Sequence, residues 1–426
     1  MRHALVEAVK NTKNAAAGNS MTGIIFGEGT LSPVTVRGFK GSAIEANIRY
    51  KGRADLGLIV SEVPAAVAGV FTKNQVKAAP VIHSMKQLSS GIRKARAILV
   101  NSGNANACTG TEGLENVKAI CAMAAHELGL QPEEIHMCST GVIGEQLPVK
   151  KFEKALPSLV SGLKADGINS VARAIMTTDT VPKLAWACIE ESGKKTTVLG
   201  IAKGAGMIAP NMGPPHATML SFILTDAKVD SGWWQEILTA ITEKSFNRIT
   251  VDGDTSTNDT VLAFANGMAE TSCSNEDLFE AVNLVAASLA TQIVADGEGA
   301  TKCVEVEVTG ARNFQEADLV ARTIANSPLV KTAFYGQDPN WGRIIAAAGR
   351  AGVTLDPDKI SISIDHVKIV ENGKGLGKEN EAKAQEIMKK DAYSLIIDLG
   401  LGNSRSSILT CDLSVEYVNI NADYRS

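Results

Sequence analysis

The sequence predicts an α/β protein of two domains, and three observations lead there. A chain of 426 residues exceeds what one hydrophobic core comfortably holds. Upstream of residue 300, short apolar runs bounded by polar or turn residues read as strands, interleaved with stretches of helical period. In the last third, strand-like 304–308, 360–364 and 394–399 alternate with helical 316–325 and 378–390, the pattern of a second α/β domain on its own sheet. The expected division is a larger domain 1–300 and a smaller domain 301–426.

The elements follow in order. The stretch 38–81 is strand-like, with apolar runs at 56–60 and 66–71. A further run, 95–100, leads straight into Asn101-Ser102-Gly103-Asn104-Ala105-Asn106-Ala107, too polar to continue a strand. Its carboxamides either line a polar pocket or cap a loop before a helix. That helix is expected over 115–128: Leu114, Val117, Cys121 and Leu128 recur on one face, and Gly129 supplies the stop. Thr140-Gly141 offers a hydroxyl beside a glycine amide that a small or anionic group can approach, although most such pairs are turns. The hydroxyl-dense 174–180 either holds substrate or caps its own backbone.

Strand-like 196–201 opens into KGAGMIAPNMGPPHATMLSFILTDA, residues 203–227. Here a loop punctuated by glycine and proline ends at His216-Ala217, and an apolar run begins at Thr218. A hydroxyl therefore stands where loop becomes strand, a usual place for reactive groups, or the strand simply begins with a β-branched residue. A helix is expected over 233–246. Residues 252–259 look superficially like a calcium loop but fail the test: Thr257 replaces the required glycine and Ala263 the required glutamate. A hydrogen-bonded polar loop close to the strand beginning at Thr218 is expected instead. The clearest helix is 275–295, with Ser274 as N-cap, Asp277 at the third helical position and a stripe of Leu278, Val282, Val285 and Leu289. Glu298 follows between two glycines, in a run that lacks the spacing of a phosphate loop. Residues 337–343 read as a polar turn carrying Trp341 and Arg343, and Asn372-Gly373 as a hairpin turn. The polar end, 418–426, would fray unless its amide or terminal carboxylate binds something.

Composition excludes several classes. Hydrophobic residues at 45% and charged residues at 21% are ordinary for a globular enzyme, while aromatics at 4% and 38 glycines point to small-residue packing and tight turns. A net charge of −4 provides no basic field, so no nucleic-acid partner is expected, and metabolite binding by local charges is. The seven cysteines form no CxxC pair and the six histidines no HxxxH pair, so neither disulfides nor a metal site is expected. The first 20 residues lack a secretory apolar core, and their few basic residues with Glu7 argue against a mitochondrial presequence. No apolar run approaches the ~20 residues of a membrane span. The expectation is a soluble, cytoplasmic protein with no membrane partner.

Taken together, DLGLIVSEVPAAVAGVFTKNQVKAAPV, VNSGNANACTG, STGVIGEQLP, AIMTTDT, KGAGMIAPNM, ATML, VDGDTSTNDTV, DGEGATK, DPNWGRI and the final NADYRS carry a resemblance. The chain resembles the bifunctional glutamate N-acetyltransferase/ornithine acetyltransferase family of arginine biosynthesis, from about residue 55 to the end. The resemblance implies a layered α/β sandwich of the ornithine-acetyltransferase and aminopeptidase type, similar to N-terminal-nucleophile enzymes, with a second, smaller α/β domain whose C-terminal tail returns to the active site. It implies self-cleavage between Ala217 and Thr218 into chains 1–217 and 218–426, joined in an α2β2 heterotetramer. The Thr218 hydroxyl attacks the preceding carbonyl, an ester forms by N-to-O shift, and water releases the two chains. The freed α-amine, with an ordinary pKa of roughly 7.7–8.0, then serves as base for its own hydroxyl.

By the same resemblance Thr218 takes acetyl from N2-acetyl-L-ornithine and passes it to L-glutamate in a ping-pong cycle. The Thr140 hydroxyl and Gly141 amide match the oxyanion hole. Substrate contacts map to Thr177, Lys203, Thr218, Glu298, Asn421 and Ser426: a lysine suits a carboxylate, a glutamate an ammonium group and an amide peptide-like atoms. For Lys203 a solvated loop position, and for Ser426 a disordered end, are the plain alternatives. No cofactor is implied, and acetyl-CoA is a candidate second acetyl donor. One departure stands out: Gly213-Pro214-Pro215-His216 is inserted where the family passes directly from Pro-Asn-Met to Ala-Thr, which bears on the turn that drives cleavage. The rival reading is an aminopeptidase or amidohydrolase of similar fold, told apart by whether acetyl passes to glutamate or to water. A non-catalytic scaffold would need Thr218 uncut.

Overall fold

The computed structural model describes residues 23–29, 34–91, 93–191, 193–213 and 219–422. The insertion residues Pro214, Pro215 and His216, the predicted cleavage pair Ala217 and Thr218, and the tail residue Ser426 lie outside the described residues. In chain order the elements are β1 (Ile24–Glu28), β2 (Phe39–Ile44), β3 (Leu56–Thr72), α1 (Ala79–Ser89), β4 (Lys94–Asn101), α2 (Gly110–Leu128), β5 (Ile135–Ser139), α3 (Val149–Ser161), α4 (Ile168–Ala174), β6 (Lys183–Glu191), β7 (Lys194–Lys203), β8 (Met212–Gly213), β9 (Leu220–Thr225) and α5 (Ser231–Lys244). There follow β10 (Ile249–Thr250), β11 (Thr260–Ala265), α6 (Asn275–Ala295), β12 (Cys303–Ala311), α7 (Phe314–Ala325), α8 (Pro328–Tyr335), α9 (Trp341–Gly349), β13 (Ser361–Ile364), β14 (Val367–Glu371), β15 (Lys374–Gly375), α10 (Lys378–Met388), β16 (Ala392–Asp398), β17 (Ser404–Cys411) and α11 (Val415–Ala422). The mixed α/β class is as expected, with two sheets. The chain divides into two compact units: described residues up to 247 with 254–293 form the larger, and 248–253 with 294–422 the smaller.

The larger unit is organised on one sheet with the order β1-β6-β7-β9-β11-β3-β4-β5, β2 and β8 pairing separately with β3. The expected strands at 56–60 and 66–71 are one element, β3. Its first part pairs with β2 and its second with β11, while β4 pairs with both across a register shift between Val60 and Ala65. The sequence looked broken there because Ser61, Glu62 and Pro64 interrupt the apolar run. They occupy the irregularity, where Arg96 Nε donates to Ser61 O at 2.7 Å and the Ser61 hydroxyl to Val63 O at 2.7 Å.

Alternation then buries both faces. Ile98 and Val100 of β4 join Phe222, Leu224, Leu262 and Phe264 in one core. Ala97 and Leu99 join Val117 and Ile120 of α2 and Phe152 and Leu156 of α3 in another. Each such side chain contributes about 1.5–3 kcal/mol on burial. Helices also cover the β7–β9–β11 region. Trp234 of α5 donates to Ala263 O at 3.0 Å. Gly200 of β7 has no room for a side chain, because Val285 Cγ1 and Leu289 Cδ1 of α6 lie 2.5 and 2.7 Å from where a Cβ would be. Helix α6 is long and apolar enough to span a membrane, and most of it is buried within the protein.

Several boundaries moved for local reasons. Helix α2 ends as expected at Gly129, φ 65°, but starts five residues early, through Gly110 and Gly113, which read as loop. The Asn106 side chain braces that first turn by donating to Gly113 O at 3.0 Å. The strand-like stretch does not reach Val81, since Pro80 opens α1 in the first helical turn. Helix α5 starts at Ser231, where Asp230 caps Gly232 and Trp233, and ends at Lys244, leaving Phe246 in a 3₁₀ turn. At α6 the boundaries agree: Asp277 N donates to Ser274 Oγ at 3.0 Å and that hydroxyl to Asp277 Oδ2 at 2.8 Å.

The smaller unit has a seven-stranded sheet in the order β10-β17-β12-β16-β13-β14-β15. The upstream segment 248–253 belongs here because β10 pairs in parallel with β17. Val304, Val306 and Val308 alternate with Glu305 and Glu307, turning the valines into a core shared with α7, α8, α9 and α10. Asn372 and Gly373 both have positive φ, 47° and 74°, and turn β14 into β15 as their sequence predicted. The expected polar turn 337–343 is only half turn. Asn340 accepts from Arg343 N at 3.2 Å and starts α9, so Trp341 and Arg343 lie on a helix. The polar end is likewise ordered as α11 as far as Ala422.

Candidate active site

In the larger unit, two loop corners and the ends of β6 and β7 carry the polar groups. The carboxamides at the end of β4 and just beyond it are hydrogen-bonded, mostly to backbone groups. Asn101 donates to Asn104 O at 2.9 Å and accepts the Ser139 hydroxyl at 2.7 Å. Asn104 donates to Glu145 O and Gln146 O, both at 3.2 Å, and accepts from Asn106 N at 2.8 Å. Asn258, from the loop before β11, crosses to donate to Ala105 O at 2.6 Å and Ser139 O at 2.8 Å. A buried carboxamide must be satisfied, and these also fix the path of the following corner.

That corner is Thr140-Gly141, just after β5. Thr140 N donates to Asn101 O at 3.0 Å, and Thr140 is buried. Gly141 has φ 130°, and a Cβ there would lie 2.3 Å from Gly103 C and 2.5 Å from Asn104 N. Only glycine turns this corner against that backbone.

Lys203 ends β7 and is 8% exposed, which removes the solvated-loop alternative. Its Nζ donates to Thr140 Oγ1 at 3.4 Å. Since the lysine occupies an acceptor position on that oxygen, the Thr140 hydrogen remains available to another acceptor. Beside it lies an ion pair that the sequence reading missed. Lys183 Nζ meets Asp179 Oδ1 at 2.6 Å, both side chains fully buried. Asp179 also accepts from Gly204 N at 2.7 Å and Thr177 N at 3.0 Å. Burial alone would raise the pKa of Asp179, but the Lys183 and Lys203 ammonium groups and these hydrogen bonds hold it well below the usual range. Of the two readings of 174–180, Asp179 thus supports local capping, and it places the Thr177 backbone beside β7. The signal was a lone aspartate four residues before the lysine that opens β6, a spacing that only the fold makes meaningful.

The loop before β11 is hydrogen-bonded as expected: Thr72 Oγ1 donates to Ser256 O at 2.8 Å, Thr255 Oγ1 to Ala209 O at 2.9 Å, and Thr260 N to Met219 O at 2.5 Å. It also carries Asp259, which is buried and which the sequence reading did not single out. Burial raises the pKa of Asp259 well above the usual carboxylate range, against the pull of Lys203 and of hydrogen bonds from Ser256.

In the smaller unit, Glu298 and Asn421 come together. Glu298 is 7% exposed, and Asn421 Nδ2 on α11 donates to its Oε2 at 2.8 Å and to Tyr417 O at 3.0 Å. Gly299, φ 68°, lies so close to α11 that a Cβ would be 2.5 Å from Tyr417 N. Asp412 anchors the following residues by accepting from Thr301 N at 2.8 Å, Thr301 Oγ1 at 2.5 Å and Lys302 N at 3.0 Å. Helix α11 and the glycine-flanked glutamate are therefore one built arrangement, made by residues more than a hundred positions apart in sequence.

Residues 40–426 match the model of the ArgJ family. The chain is 51% identical over 397 residues to the arginine biosynthesis bifunctional protein ArgJ of Desulfotalea psychrophila, covering 92% of this chain and 100% of that one. It is 48% identical over 399 residues to the protein of that name in Geobacter sulfurreducens, covering 92% and 100%. Among solved structures it is similar to ArgJ from Bacillus halodurans, at 46% identity over 49% of this chain and 100% of that chain, with a TM-score of 0.46. It is also similar to the ornithine acetyltransferase of Mycobacterium tuberculosis complexed with ornithine, at 37% identity over 45% and 100%, with a TM-score of 0.41. By the extent of the family match and the identity to its curated members, the chain belongs to the ArgJ family.

Proposed function

We propose that this chain transfers acetyl from N2-acetyl-L-ornithine to L-glutamate, giving ornithine and N-acetylglutamate, through an acetyl ester on Thr218. Self-cleavage at Ala217-Thr218 comes first and leaves chains 1–217 and 218–426, two of each in the working assembly in the cytoplasm. The observation that carries this reading is the buried Lys203 ammonium 3.4 Å from Thr140 Oγ1, at a corner only Gly141 can turn, in a chain of this family.

In the acyl step the freed Thr218 amine takes the proton of its own hydroxyl, whose oxygen attacks the acetyl carbonyl. The negative charge that develops needs donors fixed in advance. The Thr140 hydrogen, left available by Lys203, and the Gly141 amide supply them, and losing one such donor costs ~3–4 kcal/mol. Lys203 also offers a positive charge to a substrate carboxylate, Glu298 a negative one to an ammonium group, and Asn421 holds that carboxylate in orientation. Thr177 and Ser426 complete the proposed substrate contacts. No cofactor takes part.

A denaturing gel and N-terminal sequencing of the purified protein test the reading. Two bands are expected, one beginning Thr-Met-Leu-Ser, with Thr218→Ala uncut and inactive. A single intact chain that still transfers acetyl to glutamate would sink the mechanism, and release of acetate in place of acetylglutamate would favour the hydrolase. Assay with acetyl-CoA as donor shows whether the protein also starts the pathway.

A further inference from the structure

Lys203 is buried, and a buried ammonium group ordinarily closes on a carboxylate beside it. Asp179 is such a carboxylate: its Oδ1 accepts from Gly204 N, the amide that follows Lys203, at 2.7 Å. The hydrogen bond that Lys203 makes is nevertheless to the neutral Thr140 hydroxyl, at 3.4 Å. The carboxylate is engaged elsewhere. Lys183 Nζ lies 2.6 Å from Asp179 Oδ1, with both side chains fully buried, and Thr177 N donates to Oδ2 at 3.0 Å. Lys183 stands opposite Ala202 on β7, one row before Lys203, so the two lysine side chains leave opposite faces of the sheet. Asp179 meets the first amide past β7, and both ammonium groups act on its carboxylate.

We infer that Lys183 is a positioning residue for substrate binding: by holding the Asp179 carboxylate it leaves the Lys203 ammonium group open to the carboxylate of a substrate. The inference rests on Lys203 receiving that group, as in the function proposed above. A lysine bonded to a hydroxyl at 3.4 Å exchanges that contact readily for a charge-assisted bond, whereas one closed on a buried carboxylate does not. Lys183 itself is fixed at the start of β6, where its Nζ also donates to Val181 O at 3.4 Å. It acts through Asp179, not on the substrate.

The other carboxyl on which Lys203 acts, Asp259, is pushed by burial towards its neutral, protonated form, which leaves Asp179 as the anion to be held. Removing Lys183 alone would then hand Asp179 to Lys203 and close the site. Removing both charges of the pair would take away the competitor along with its holder, and Lys203 would stay open. The two substitutions are therefore expected to oppose each other, which a pair that merely ties the loop to the sheet does not predict.

The test compares purified full-length wild type, Lys183→Met, the double variant Asp179→Asn with Lys183→Met, and Lys203→Met in steady-state acetyl transfer from N2-acetyl-L-ornithine to L-glutamate. A denaturing gel checks processing and thermal melting checks the fold. Lys183→Met is expected to raise KM for both substrates, each of which carries an α-carboxylate, about 10- to 100-fold with kcat nearly unchanged. The double variant is expected to bring KM back close to the wild-type value, since neutral groups of similar volume replace a buried ion pair at little cost. A wild-type KM in Lys183→Met, or a double variant that is as impaired as the single one, uncut or unfolded, overturns the inference. Where Lys183→Met alone does not melt as native or stays uncut, the double variant decides by the same outcomes. Lys203→Met separates the two failures: an unchanged KM there overturns the reading of Lys203 itself, and a wild type that transfers no acetyl overturns the proposed function.

Discussion

Buried charge is the theme at the residue scale, and each instance is held by a different device. Lys183 has a carboxylate at 2.6 Å, whereas Lys203 reaches the Thr140 hydroxyl and acts on two carboxylates. If Thr140 supplies a donor used only as charge develops, Thr140→Val should lower kcat about 100- to 1,000-fold with little change in KM, read by steady-state acetyl transfer. His136 uses the opposite device and stays neutral. It is fully buried in β5, edge-on to Phe264 at 6.1 Å, with both ring nitrogens unpartnered among the described residues, and burial, with a contribution from His83, lowers its pKa to about 3. The unfolded chain takes up that proton near its ordinary pKa of about 6.5, before the folded one does. Stability should therefore fall as pH drops from about 6.5 towards about 3. His136→Leu should flatten that slope in urea midpoints measured across the range, leaving a smaller slope from His83, whose pKa burial also lowers.

At the scale of elements, what could be read depended on whether the signal was local. Helix α6 was legible to the residue because its cap, its stripe and its glycine stop all lie within its own sequence. Ser274→Ala should cost about 1 kcal/mol, seen as a lower urea midpoint at unchanged slope. The hairpin at Asn372-Gly373 was legible for the same reason: left-handed backbone is demanded at both positions. Strand β3 was misread as two because a polar, proline-bearing irregularity resembles an end, and only its two sets of partners reveal continuity. The start of α2 was hidden by glycines whose bracing carboxamide comes from outside the helix. Of the residues expected to act, Thr140, Gly141, Lys203, Glu298 and Asn421 were named through the collected motifs, and the structure brings Lys203 to Thr140 and Asn421 to Glu298. Asp179–Lys183 and Asp259 were not, because a buried ion pair and a buried carboxyl with one oxygen unpartnered among the described residues are properties of packing that no spacing announces.

For the whole molecule, the order β7-β9-β11-β3 has a bearing on what a cut at residue 217 can do. Strands β9 and β11 come from after that point, and they lie between β7 and β3, which come from before it. Six register pairs join β7 to β9, and six join β11 to β3. The two products would be interwoven rather than docked, and neither could leave without unzipping the middle of the sheet. Processed protein mixed with an isotope-labelled copy should therefore show no exchange of chains by native mass spectrometry until denaturant is added, while a denaturing gel separates them at once. Exchange in native buffer would contradict this. Cleavage, on this topology, would free an end without freeing a subunit: the reaction would gain a new amine, and the sheet would keep every strand it folded with.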